Sequence, residues 1–262
     1  MARTWEFTDL EFVVAWEPMR QGDVPRPFVF TSRTPRYEDY RAELAETRER
    51  LRTRLGNSFD GALETLARPD IRIVVTGWDG GDPADPKGRV CLLAARRGHE
   101  GCLVTQAPGE TIWHSAGFTV AECDALRLAD VVAAALPDRV AGESDRLVLG
   151  ELFGEDSGFD HSYRRSLTNE LTHDPERDSL QRFRRARQVG AGTIEIIQGS
   201  SRFGPRGITS RVLEWRDLDG DGRYLITGSA PQVATGADVR RLTASINAEI
   251  AEVVRAIKDE RM

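Results

Sequence analysis

The chain has 262 residues, is 40% hydrophobic and 30% charged, and carries a formal net charge of −6. It can bury a sizeable core, but its mixed-sign charge supplies no broad basic face for phosphates, so nucleic acid is not the expected partner. Three cysteines (Cys91, Cys102 and Cys123) are too few and too odd for a disulfide framework. No apolar run approaches the roughly 20 residues of a membrane helix. Asp9 stands where a signal peptide would have its apolar stretch. The expectation is a cytoplasmic protein that does not insert into membranes.

Residues 3–7 read as a short strand, and Thr8-Asp-Leu-Glu11 is a capping box that opens a short helix through Leu10, Val13, Val14 and Trp16, closed by Pro18. Phe28–Thr31 is a second strand candidate. Thr34-Pro35 then starts a long helix with apolar positions Tyr37, Tyr40, Leu44, Leu51, Leu55, Phe59, Leu63 and Leu66. Gly56 and Gly61 are places where it bends or splits, and Pro69 stops it. Ile71–Thr76 is a β-branched strand, and the Gly/Asp/Pro-rich stretch 77–88 a loop. Arg89–Arg97 and Cys102–Ala107 flank a hairpin turn at 98–101. That turn sets Cys102 opposite Arg97 and Cys91 opposite Pro108, so those thiols do not face each other. Thr111–Ala116 is a further strand. Thr119-Val-Ala-Glu122 reads as a second capping box, opening a helix through Leu126, Val131 and Leu136 that Pro137 ends.

The second half repeats this order. Asp174-Pro175 caps a charged helix through Leu180 and Phe183, Thr193–Gln198 is a strand, and 199–207 is a polar loop. Ile208–Arg216 and Arg223–Thr227 are strands around Asp217–Gly222. Thr235-Gly-Ala-Asp238 opens a C-terminal helix with the stripe Val239, Leu242, Ile246, Ile250, Val253 and Ile257. Each half runs helix, strand, Gly-rich loop, strand, turn, strand, capped helix, at an offset of about 120 residues. The expected fold is α+β: a single domain of two similar halves, about 1–138 and 147–262, sharing an antiparallel sheet across a pseudo-two-fold axis. Residues 151–173 lack periodicity and read as a long connection.

Sites for chemistry are scarce. Asp217-Leu-Asp-Gly-Asp-Gly222 begins like a calcium loop, but position twelve is Gly228 rather than the bidentate Glu, and the flanks read as strands. His99, His114, His161 and His173 have no metal-ligand spacing. No Gly-x-Ser-x-Gly elbow, phosphate loop or dinucleotide fingerprint is present. The sequence therefore offers no catalytic, cofactor or metal residues. Aromatic residues in irregular segments are a different matter, because interfaces use such groups as anchors. Trp78 stands at the mouth of the 77–88 loop beside Asp79 and Asp82, and Phe153, Phe159 and Tyr163 stand in the 151–173 connection. These six are the candidate partner-binding residues.

Thr4–Glu17, Pro27–Arg33 with the charged helix after it, Gly190–Ile196 and Trp215–Leu225 together resemble the EspG family of proteins associated with ESX (type VII) secretion in actinobacteria. The resemblance covers nearly the whole chain and is weakest over 140–188. It implies a central antiparallel sheet with two helical bundles and quasi-two-fold symmetry. It also implies a non-enzymatic chaperone that binds the helical tip of a secreted partner, a PE–PPE-like heterodimer, and keeps it soluble for its secretion system. The competing readings are a self-associating scaffold, which a large symmetric apolar interface would mark, and a hydrolase, which a deep pocket with a shifted carboxylate would mark.

Overall fold

The computed structural model describes residues 3–149, 175–228 and 231–261. The chain begins with strand β1 (Thr4–Phe7) and helix α1 (Asp9–Trp16). The capping box at that junction is complete: the Glu11 amide donates to Thr8 Oγ1 at 3.2 Å, and the Thr8 amide donates to Glu11 Oε2 at 2.9 Å. The long helix starts at Tyr37, two residues beyond Pro35, and divides as the glycines suggest, into α2 (Tyr37–Leu55) and α3 (Asp60–Ala67). Gly56 caps α2 with φ of 51°, a left-handed angle that a side chain resists. Pro18 lies in a 3-10 turn directly after α1.

Phe28–Thr31 is not a strand. The Gln106 side-chain amide binds both backbone groups of Val29, donating to its carbonyl at 3.1 Å and accepting from its N–H at 3.4 Å. One side chain thus satisfies the peptide that a strand partner would otherwise pair.

Strand β2 (Ile71–Asp79) runs three residues past its expected end, so Trp78 lies in the sheet rather than in a loop. β3 (Arg89–Arg97) and β4 (Glu100–Pro108) meet in a tighter turn than expected, with Arg97 opposite Glu100, which places Cys102 opposite Ala95. All three thiols are free. The expected strand at 111–116 is displaced to β5 (Ser115–Asp124), and the supposed capping box at Thr119–Glu122 lies in its middle. Thr119 and Val120 pair with Glu6 and Trp5 on one side and with Thr105 and Val104 on the other. Two-sided pairing overrides the local capping signal. The cap falls instead to Asp124, whose carboxylate accepts from the Leu126 amide at 2.8 Å ahead of α4 (Leu128–Ala135).

The second half contains β6 (Leu147–Leu149), α5 (Pro175–Arg185), β7 (Gln188–Gln198), β8 (Ser210–Leu218), β9 (Gly222–Thr227), β10 (Gln232–Gly236) and α6 (Val239–Arg261). The expected cap at Asp174 lies outside the described residues. β6 and β10 are additions to the expected elements. Thr235 belongs to β10, and Asp238 alone caps α6, accepting from the Arg241 amide at 2.8 Å.

Among the described residues, ten strands form one antiparallel sheet in the order β1-β5-β4-β3-β2-β7-β8-β9-β10-β6. Outward from the central β2–β7 pair, each half lays down a four-stranded meander and then its own first strand as the outer edge. Alternation along the strands divides the side chains between two faces. On one face, α1–α3 pack over Val74, Leu93, Val104, Phe118 and Val120. On the same face at the far end of the sheet, Phe183 of α5 packs on Leu218, Tyr224 and Ile226. The opposite face carries Ile73, Val75, Ile194, Ile196, Leu213 and Trp215 under α4 and α6.

Candidate partner interface

Among the described residues, nothing covers the centre of the sheet between the layer of α1–α3 and that of α5. The strand alternation that buries Val74 also sets Thr76, exposed, and Trp78, partly buried, on this face. Their neighbours across β7 and β8 are Thr193, Glu195, Val212, Glu214 and Arg216. An open groove of about 540 Å3 follows, floored by Thr76, Trp78, Thr193 and Glu214 and walled by Pro83, Arg89, Ile112 and Arg216.

The groove is held in shape from several sides. Thr76 and Thr193 share a hydroxyl–hydroxyl hydrogen bond of 3.1 Å across the β2–β7 seam. Arg89 donates to the Ile112 carbonyl, tying the β4–β5 loop to the rim, and its Nε lies 3.1 Å from Cys91 Sγ. The Arg216 guanidinium stacks 5.9 Å from the Phe183 ring centroid. Arg26 approaches Glu195 at 3.9 Å. The floor is thus mixed: an indole and the half-exposed Val212 among carboxylates and guanidinia of both signs.

Glycine is required beneath it. Gly77 and Gly192 are partners across the seam, and on the reverse face Trp215 lies against both. A Cβ on Gly192 would stand 2.2 Å from Trp215 Cη2, and one on Gly77 2.6 Å from Cζ2.

Of the six candidate residues, Trp78 lies in the groove. Asp82 lies in the loop beside it and accepts from the Ala84 amide at 2.8 Å. Asp79 alternates to the other face, where it receives Arg139 Nη2 at 2.5 Å. Phe153, Phe159 and Tyr163 lie outside the described residues. Thr193, Glu195, Val212, Glu214 and Arg216 join Trp78 without having been singled out in the sequence. Alternation from Trp78 through the β2–β7 register was the signal that would have found them.

Asp79, itself half-buried, belongs to an ion cluster behind the groove whose centre, Asp217 and Arg223, is buried. Arg223 grips Asp217 in a fork, Nε to Oδ1 at 2.7 Å and Nη2 to Oδ2 at 2.8 Å, and also donates to the Pro137 carbonyl at 2.9 Å. Arg139 Nε stands 3.9 Å from Asp217. Asp221 accepts from the Glu143 amide and from the Tyr224 hydroxyl, each at 2.8 Å. Asp217 and Asp221 of the calcium-like stretch are thus committed to a hairpin and its neighbours, while Asp219 is exposed. Among the described residues, no three His, Cys, Asp or Glu side chains converge as a metal would need. His114 Nδ1 is 2.7 Å from the Thr111 hydroxyl in an exposed turn. Burial pushes the Cys102 thiol up to about 12 and the Cys123 thiol up to about 11, so neither is poised as a nucleophile. No described helix is long and apolar enough to cross a membrane.

The sequence matches the sequence model of the EspG family over residues 8–248, across both halves of the sheet. The chain belongs to the EspG family. No curated protein matches it. Among solved structures, the EspG-family chain is similar to EspG5 of Mycobacterium tuberculosis, described as a type VII secretion system chaperone in complex with a PE25–PPE41 dimer. Identity is 11%, 95% of this chain and 96% of that chain are covered, and the TM-score is 0.52. At that identity the likeness supports the EspG fold for this chain.

Proposed function

We propose that this chain is a cytoplasmic, non-enzymatic chaperone of type VII secretion that binds a secreted, helical PE–PPE-like partner in the groove at the centre of its sheet. Family membership and the partner of the similar EspG5 support the class of ligand. The observation that carries the site is the mid-sheet floor that the described helices leave uncovered, in which Val212 stands half exposed and Trp78 partly exposed between two helical layers. A helical tip seated there extends the helical layer across the gap and removes its own apolar surface from water. The mixed charge of the groove suits a complex that must come apart for export better than a dry, obligate contact would. Asp82 and the 80–88 loop form the near rim, with Phe153, Phe159 and Tyr163 as further contacts. The two halves, about 1–138 and 147–262, act as one domain related by a pseudo-two-fold at the β2–β7 seam.

The test is a bait experiment in the native cytosol, followed by titration of the recovered partner. A stoichiometric helical exported pair is expected. Trp78→Ala should weaken its binding by about 2 kcal/mol, roughly 30-fold in Kd, with a smaller effect on stability. Recovery of the bait alone from cells that express the secretion system overturns the proposal. Unchanged affinity with a lowered melting midpoint would make Trp78 a packing residue and move the interface elsewhere.

A further inference from the structure

A second groove lies on the reverse face, at the other end of the strands. Leu242, Ile246 and Val253 of α6 are sunk in the core. The next stripe around the helix, Asn247, Ile250, Ala251, Val254 and Lys258, faces Arg96, Leu126 and Leu128 across an open groove of about 470 Å3. Leu126 is 80% exposed, the most exposed of the large apolar side chains among the described residues. A solitary exposed leucine needs no explanation. This one continues a strip formed with Ile250, Ala251 and Val254.

The groove lining holds three cations, Arg96, Arg255 and Lys258, and no acid. Arg96 rises from β3 at one side, its Nε buried and without a hydrogen-bond partner. Among the described residues, neither Arg96 nor Lys258 has an ion pair or a side-chain hydrogen bond. Arg255 is held by Glu252 at 2.9 Å. In a chain of net charge −6, an apolar strip bordered by two unpaired cations is a local exception. It favours carboxylates in whatever covers the strip. Two cations are too few to hold a membrane surface or a nucleic-acid backbone, each of which draws on larger basic clusters. Pairing this face with its own copy would set the cations against one another.

We propose that this groove docks an amphipathic helix of a second protein, with apolar residues seated on Leu126, Ile250 and Val254 and carboxylates placed toward Arg96 and Lys258. The span from Asn247 to Lys258 is ~17 Å, three turns of a partner helix. The docking site lies on the face away from Trp78, so both grooves are occupied together without competition.

Leu126→benzoylphenylalanine in the full chain, photolysed in native cells, maps what covers the strip. The expected adduct is a single protein segment whose sequence places Asp or Glu beside apolar residues at helical spacing. Arg96→Glu with Lys258→Glu should lower its yield at least tenfold, and added salt should lower it as well. Lys258→Glu alone, at an exposed last-turn position, gives the same reading should the double variant fail to fold. Trp78→Ala should leave the yield unchanged, which separates this surface from the mid-sheet groove. An adduct with lipid, with nucleic acid, with a second copy of this chain or with a segment lacking carboxylates overturns the proposal. So does no adduct, or a yield indifferent to charge reversal.

Discussion

Asp217→Ala tests whether the ion cluster behind the groove is as dry as its geometry implies. The side chains of Asp217 and Arg223 are 2% and 5% exposed, and they meet in two parallel hydrogen bonds. Removing the carboxylate strands the Arg223 guanidinium in the protein with only the Pro137 carbonyl, and takes from Arg139 the second of its two acids. Breaking such a pair from one side costs about 3–5 kcal/mol, because the surviving charge has lost both its partner and its water. For a chain of this size that is about 10 °C in melting midpoint. Asp217→Leu with Arg223→Met removes both charges at similar volume and should recover most of the loss. Urea melts followed by circular dichroism measure all three proteins, with the slope checked for a constant unfolding transition. A single variant that loses less than about 1 kcal/mol would show that water reaches the pair. A double variant as unstable as the single one would show that shape, not stranded charge, sets the cost.

Gly192→Ala should destabilise by about 1–3 kcal/mol through overpacking, since its Cβ would meet Trp215 Cη2 at 2.2 Å and the Thr76 carbonyl oxygen at 2.4 Å; the same melts check it. Cys102 and Cys123, with thiols raised to about 12 and about 11, should resist iodoacetamide at pH 8 in the folded protein and react readily in urea; mass spectrometry counts the adducts. Arg33 holds the exposed Glu110 carboxyl down to about 2. Its favourable contribution is therefore present above its unfolded value of about 4.3 and is lost as pH falls through about 2. Glu110→Gln should flatten that part of the acid stability profile, and an unchanged profile would mean that the pair does not hold in solution.

What the sequence alone reveals follows the range of the interactions that build each element. The α6 stripe and the Thr8 capping box depend on residues within one or two turns; the capping box reads correctly, and so does the stripe from Leu242 onward, while Val239 stays exposed. Gly56 breaks the long helix where its backbone angle demands it. Thr119–Glu122 matches a capping box yet forms a strand, because β1 and β4 lie on either side of it and neither is near in sequence. Phe28–Thr31 has strand composition, but the Gln106 amide claims its backbone. β6 and β10 are three and five residues long, too short for periodicity to show. Gly77 reads as the start of a loop; it is a strand residue kept small by Trp215, which lies far away in sequence. The same limit governs the groove. Trp78 is visible as an aromatic at a loop mouth, whereas Thr193, Glu214 and Arg216 become its neighbours only through a register that one slipped residue would invert.

The seam between the halves has a consequence for how the chain can be cut. β2 and β7 join along nine residue pairs in the middle of the sheet, so neither half ends at a natural boundary there. A fragment stopping before β7 would bare the Ile71–Val75 run, strongly β-prone and uncharged apart from Arg72, as an open edge. Expressed alone, the first half should therefore join a second copy edge to edge, with β2 pairing β2, or precipitate. Because each half builds outward from this seam in the same strand order, such a dimer would carry a mid-sheet floor made from two copies of the Trp78 strand.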